Sequence, residues 1–230
     1  MSMLSRPRAA LLTGLILSLW LLPGARAEDS PGPAATTATT PTQVRVTTNA
    51  GDFVIELRPD RAPLTVANFL RYVREGFYTN TLFHRVVANF VVQGGGHDAT
   101  TFKLKDTHDN VFNESGNGLQ NKRGTVGMAR GEPPHSGNSQ FYINLVDNPD
   151  LDPVPTRWGY TVFGKVVQGM DVIERIGETP TGASGPFKAD APMKPVIIEK
   201  VEVIGARAVA PSAPTPVNPT PNQDNILSPK

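Results

Sequence analysis

The chain has 230 residues, with 22 Lys and Arg against 21 Asp and Glu and a formal net charge of +1. So balanced a chain has no global field with which to hold a polyanion, which argues against nucleic-acid binding. It has no cysteine, so disulfides and thiolate chemistry are excluded and stability has to come from a hydrophobic core.

At the N-terminus Arg6 and Arg8 precede an apolar run from Ala9 to Leu22, followed by Pro23, Gly24 and Ala25-Arg26-Ala27. Basic, apolar and small-x-small segments in that order form a secretory signal-peptide pattern, with cleavage expected after Ala27. The run of about 14 residues is shorter than the ~20 that span a bilayer; an uncleaved anchor is the alternative. Removing residues 1–27 takes away three arginines and no acid, leaving 19 basic against 21 acidic groups, a net charge of −2. Residues 28–42 (EDSPGPAATTATTPT) and 206–230 (ARAVAPSAPTPVNPTPNQDNILSPK) are small and Pro-rich. They read as a disordered linker and tail. Residues 43–205 between them are a normal length for one domain.

Within that domain, residues 43–48 and 53–57 are β-rich runs separated by Asn49-Ala50-Gly51-Asp52, a hairpin signal. Pro63 then opens a helical segment in which Val66, Phe69, Leu70 and Val73 form one apolar stripe, ending at Gly76. Further β candidates follow at 82–87, 90–94, 124–129, 139–145, 161–166 and 196–204, with a second helix over 170–176. Short strands, few helices and frequent Gly and Pro turns argue for an antiparallel barrel or sandwich. The helices would cover its open ends, and long loops at 95–123 and 146–159 leave room for a site on one face.

Gly94-Gly95-Gly96-His97-Asp98-Ala99 formally matches a dinucleotide fingerprint, but TTFKLKD follows it in place of a helix. Gly137-Asn138-Ser139-Gln140-Phe141 lacks the last glycine of a nucleophile elbow. His97-Asp98 and His108-Asp109 could touch a metal, and a metal-dependent hydrolase is one rival reading, although no H-E-x-x-H is present. In LFHRVVANFVVQGGG, residues 82–96, Arg85 sits within apolar strand-like residues. If 82–87 pairs with 90–94 across Ala88-Asn89, alternation gives Arg85 and Val87 one face and Val91 and Gln93 one face. From this pattern alone Arg85 is either a rim residue covering apolar surface with its stem or a functional cation.

FHRVVANFVVQGGG, then GTVGMAR, SQFYINL and GYTVFGKVVQGMDVIERI, in that order over nearly all of residues 43–204, resemble the cyclophilin family of peptidyl-prolyl cis–trans isomerases, in particular its bacterial branch. The resemblance implies a mainly β fold, a closed eight-stranded antiparallel barrel capped by two helices. It implies that Arg85 is the catalytic arginine. Phe90, Val91, Gln93, Ala129, Arg130, Gln140, Tyr142, Leu151 and Tyr160 would line the substrate groove. Phe90, Tyr142 and Leu151 would seat the proline ring, and Gln93 would orient Arg85. No cofactor or metal is implied. The expected partners are proline-containing unfolded or loop segments of exported proteins, met by a periplasmic (alternatively secreted) monomer with no stable membrane insertion. A non-enzymatic module that holds such segments is the other rival.

The chain also departs from the family's pattern. Ala88-Asn89 stands where Pro-Gly is common, which a two-residue turn tolerates. Val91 replaces a methionine, and Arg130 replaces an asparagine common in eukaryotic members. Asp150 occupies a position that often carries an aromatic which helps bind cyclosporin, so weak inhibition by that drug is expected.

Overall fold

The computed structural model describes residues 42–204. The leader over 1–27, nearly all of the linker over 28–42 and the tail over 206–230 lie outside the described residues. Within them the chain runs β1 (Gln43–Thr48), β2 (Gly51–Leu57), α1 (Pro63–Arg74), β3 (Thr81–Leu82), β4 (Arg85–Val87), β5 (Val91–Gly94), β6 (Thr125–Met128) and β7 (Phe141–Asn144). A short 3-10 turn (Pro149–Leu151), β8 (Val162–Gln168), α2 (Met170–Gly177), β9 (Thr181–Ser184), β10 (Phe187–Pro192) and β11 (Ile197–Ile204) complete it.

The expected stripe of α1 is buried: Val66, Phe69, Leu70 and Val73 all face the core. The Phe69 ring lies 5.2 Å from Tyr78, 5.7 Å from Phe141 and 5.2 Å from Phe163, centroid to centroid, so one helical aromatic ties three chain segments together. The helix stops where the sequence suggests. Gly76 takes φ +66°, its N–H donates to the Val73 carbonyl, and Phe77 N donates to Tyr72 O. That bond pair is a Schellman motif, and the Tyr72 and Phe77 rings close it at 4.6 Å. At the other end Glu114 reaches back from the long loop. Its carboxylate accepts from Leu64 N, Thr65 N and the Thr65 hydroxyl at 3.1, 2.8 and 2.6 Å. A negative charge there satisfies orphan donors and meets the positive end of the helix dipole. The second helix buries Val172, Ile173 and Ile176, as its spacing predicts.

The sheet differs from the closed eight-stranded barrel expected above. Nine strands form an open hydrogen-bonded order, β3-β11-β1-β2-β8-β6-β7-β5-β4, with antiparallel pairing throughout. The predicted single strand over 82–87 is the cause. Thr81, Leu82 and Phe83 are all buried, which strict alternation forbids, and the segment breaks at Phe83-His84. Its first part pairs with β11 and its second with β5. The two edges of the ladder are therefore consecutive pieces of one segment, joined by covalent chain and not by a tenth ladder. Leu82 still bridges toward the other edge, donating to His97 O and accepting from Gly95 N.

A separate two-stranded hairpin, β9–β10, had no counterpart in the sequence reading. TGASGPFKADAP has neither β-branched alternation nor a helical stripe. It is held by Phe187, whose ring lies 5.6 Å from His84 and 4.9 Å from His97. Ala191 behind it is 2% exposed.

Candidate functional site

Four strands align the polar outer face of the sheet on a single rung. Arg85 on β4 is the register partner of Gln93 on β5; Gln93 is that of Tyr142 on β7; Tyr142 is that of Gly127 on β6. Alternation sends the next register pair, Val86 and Val92, into the core, at 1% and 0% exposure. The turn joining β4 to β5 holds Asn89 at φ +57°, with Phe90 N donating to Val87 O. Asn is one of the few non-glycine residues at ease there, so Ala88-Asn89 serves as the expected tight turn.

Gly127 is what lets Tyr142 lie flat. A Cβ at position 127 would stand 2.2 Å from Tyr142 Cζ and 2.3 Å from its hydroxyl oxygen. The hydroxyl donates to Asn121 Oδ1 at 2.6 Å, and burial, with smaller contributions from Tyr160 and Asp152, pushes its pKa well above the usual phenol range. Gln93 Nε2 donates to Gln140 Oε1 at 3.2 Å, and Gln140 O accepts from Ala129 N at 3.0 Å.

Loops make the facing wall. Tyr160 N donates to Leu151 O at 2.8 Å, and the Tyr160 ring meets that of Tyr142 edge-on at 6.0 Å. The Arg130 guanidinium stacks 4.4 Å over Tyr160 and donates to the carbonyls of Gly131, Glu132, Trp158 and Gly159. With four carbonyls engaged, Arg130 fixes the shape of the wall. An asparagine network stands behind it. Asn121 donates to Asp152 Oδ1 from both its backbone N (2.7 Å) and Nδ2 (2.9 Å). Asn144 Nδ2 reaches Asn121 Oδ1 at 3.3 Å and Thr125 Oγ1 at 2.9 Å; Asn148 Nδ2 donates to Asn144 Oδ1 and to Phe90 O.

Register, hydrogen bonds and ring contacts thus bring all ten sequence-predicted site residues together. Phe90 closes the set, its ring centroid 5.9 Å from Arg85 Cζ. Two details were not foreseen. Val91 is buried, only 2% exposed. The hydrogen bond of Gln93 goes to Gln140, while the carboxylate nearest Arg85 is Asp190, whose Oδ2 is 3.6 Å from Arg85 Nε. Gly127 and Asn121 also escaped the sequence reading. A strand glycine does signal close approach of a neighbour, but asparagines in NGLQNKRG look like ordinary turn residues.

Among the described residues, no group of three or more His, Cys, Asp or Glu is placed to share a metal ion. His97 Nδ1 contacts Phe102 O at 3.0 Å, whereas His108 Nε2 pairs with Glu75 at 2.7 Å, so the two loop histidines sit in different settings. No helix follows the glycine run at 94–96.

The family model for "Cyclophilin type peptidyl-prolyl cis-trans isomerase/CLD" matches residues 43–203. The chain is 51% identical over 159 residues to peptidyl-prolyl cis-trans isomerase B of Escherichia coli, covering 68% of this chain and 96% of that one. It is 46% identical over 167 residues to peptidyl-prolyl cis-trans isomerase A of Dickeya dadantii, covering 73% and 87%. Its fold is similar to the crystal structure of a cyclophilin type isomerase from Cryptosporidium parvum, with TM-score 0.58, 28% identity, and 72% and 98% of the two chains covered. A second structure of that protein, determined in the presence of the dipeptide Ala-Pro, matches with TM-score 0.57.

Proposed function

The chain belongs to the cyclophilin family and is a peptidyl-prolyl cis–trans isomerase, and from that premise we propose that it turns X–Pro bonds in exported proteins, with Arg85 as the group that lowers the barrier. Rotation about an X–Pro bond is slow because the C–N bond is partly double, with a barrier of ~18–20 kcal/mol. At the twisted midpoint that resonance is lost and the proline nitrogen gains an available lone pair. A donor aimed at this nitrogen binds the twisted form better than either planar isomer, and differential binding of this kind is catalysis. Arginine suits the task because it stays charged and offers a rigid fork of donors.

The observation that carries this reading is the rung. It sets a half-exposed guanidinium beside the Phe90 ring, with Gln93 and Tyr142 in line on the same face. Phe90, Tyr142 and Leu151 would hold the proline ring. Gln93, Gln140 and Ala129 would meet the peptide backbone, and Tyr160, braced by Arg130, would wall the far side. Burial of the Tyr142 hydroxyl on Asn121 leaves its ring, not its polar tip, to face substrate.

The test is a protease-coupled proline-peptide assay on Arg85→Ala. A hydrogen bond to a charged group contributes about 1.5–3 kcal/mol, so kcat/KM should fall about ten- to hundredfold with folding unchanged. An unaltered kcat/KM would remove Arg85 from the mechanism. Export, the periplasmic site of action and a monomeric state belong to the same proposal. Mass spectrometry of the protein from its native host should find Glu28 as the first residue; a chain beginning at Met1 would overturn cleavage.

A further inference from the structure

The β9–β10 hairpin lies outside the main sheet but reaches its catalytic rung at one point. Its ladder pairs Phe187 with Ser184 and then Ala191 with Gly182, so residues 188–190 bulge from the pairing. The bulge ends at Asp190, which takes φ +59°. A left-handed conformation is unusual for a side-chain-bearing residue, although Asp and Asn tolerate it best. This backbone turn directs the Asp190 carboxylate to within 3.6 Å of Arg85 Nε, the two side chains being 45% and 39% exposed. Among the described residues it is the one acid within 4 Å of that guanidinium.

We propose that Asp190 is a positioning residue for Arg85, a counter-ion mounted on the hairpin to hold the guanidinium in its working orientation; the proposal rests on the catalytic role given to Arg85 above. At 3.6 Å the contact exceeds a hydrogen bond and acts as an ion pair on the Nε edge. The terminal amino groups of Arg85 stay free for substrate. A long, half-exposed arginine stem otherwise samples many rotamers, and the carboxylate favours those that keep the guanidinium beside Phe90. Among the described residues no side-chain hydrogen bond joins Gln93 to Arg85; the Gln93 Nε2 donates to Gln140.

The hairpin does not depend on the ion pair for its own docking. Phe187 packs against His84 and His97, and Ala191 and Pro192 line a small cavity with Leu82, Phe83 and Phe102. Charge can therefore be removed without undocking it. Asp190→Asn suits the purpose because Asn accepts the same positive φ, and Asp190→Ser serves as a second probe should Asn misfold.

Asp190→Asn should lower kcat/KM about two- to fivefold at low salt, the range open to an exposed ion pair, mainly in kcat. The difference from wild type should vanish in 1 M NaCl, where screening acts over about 3 Å. It should also vanish in an Arg85→Ala background, as a double-mutant cycle requires of a residue acting through Arg85. Wild-type kcat/KM in Asp190→Asn and Asp190→Ser, or an equal loss with and without Arg85, would overturn the proposal while leaving the role of Arg85 standing. Failure of Arg85→Ala to lose activity would instead sink the underlying reading.

Discussion

The two walls of the groove are built on different principles. The strand wall places the backbones of Arg85, Gln93 and Tyr142 by ladders, so the face each side chain takes follows from register. The loop wall has no ladder. A backbone bond joins Tyr160 to Leu151, the Arg130 guanidinium holds four loop carbonyls, and Asn121 links Tyr142 to Asp152. One wall is specified by alternation, the other by individual polar side chains. Their sensitivities to mutation should differ accordingly: steric on the first, hydrogen-bonding on the second.

The largest effect is expected where the strand wall has no room. In Gly127→Ala the new methyl would lie 2.2 Å from Tyr142 Cζ, and the ring cannot swing aside while its hydroxyl is tied to Asn121. Overpacking of this kind costs typically about 1–3 kcal/mol. Urea denaturation should show that loss, and kcat/KM should drop about tenfold as Tyr142 leaves the rung. Wild-type activity would mean that the ring position does not matter.

Asn121→Ala probes the loop wall. It removes the acceptor of a buried hydroxyl and both side-chain links to Asp152 and Asn144, and an unsatisfied buried group costs about 1–3 kcal/mol. The stability loss should resemble that of the glycine variant, but the activity loss should be several-fold and appear chiefly in KM. Equal kcat losses in both variants would erase the distinction between the walls.

A pH effect belongs to the break between β3 and β4. Burial first, then the neighbouring His97 and the Arg85 charge, lowers the His84 pKa from 6.5 to about 4, and its Nδ1 is buried with no hydrogen-bond partner among the described residues. Between those values the unfolded chain binds the proton and the native chain does not, so stability rises with pH across this window. Acidification from pH 6.5 to 5 should cost about 1–2 kcal/mol through this residue. His84→Phe keeps a ring against Phe187 and should flatten thermal midpoints over that interval. An unchanged slope would assign it to other groups.

Much of this architecture is readable in the chain, and the gaps have physical causes. The α1 stripe, its glycine stop and the β4–β5 pairing are local patterns, and each is found where periodicity puts it. The break at Phe83-His84 is not local: it depends on Thr81 and Leu82 pairing with β11, more than a hundred residues away. The β9–β10 hairpin lacks apolar alternation because it docks by single residues, chiefly Phe187 and Ala191. Asn121, Asn144 and Asn148 carry the side chain of a turn, and only tertiary contact makes them a buried network. Asp190 stayed hidden for both reasons at once, a polar residue on an unpatterned hairpin.

The smallest effect on isomerisation is expected at Asp150. It is exposed in the 3-10 turn, and its backbone carbonyl, not its carboxylate, accepts from Arg157 at 2.8 Å. Its side chain can therefore change without loosening the loop wall, whose bonds to Leu151 and Asp152 are made by backbone and by Asn121. Asp150→Trp should leave proline-peptide turnover within about twofold of wild type, as surface substitutions usually do. Cyclosporin should bind the natural protein weakly, because a solvated carboxylate stands where an aromatic edge would bury apolar surface. Burying one large apolar side chain contributes about 1.5–3 kcal/mol, so the tryptophan variant should bind the drug at least tenfold more tightly in a calorimetric titration. Low-nanomolar binding by the natural protein would show that Asp150 does not set drug affinity, and that the loop wall presents its apolar face through other residues.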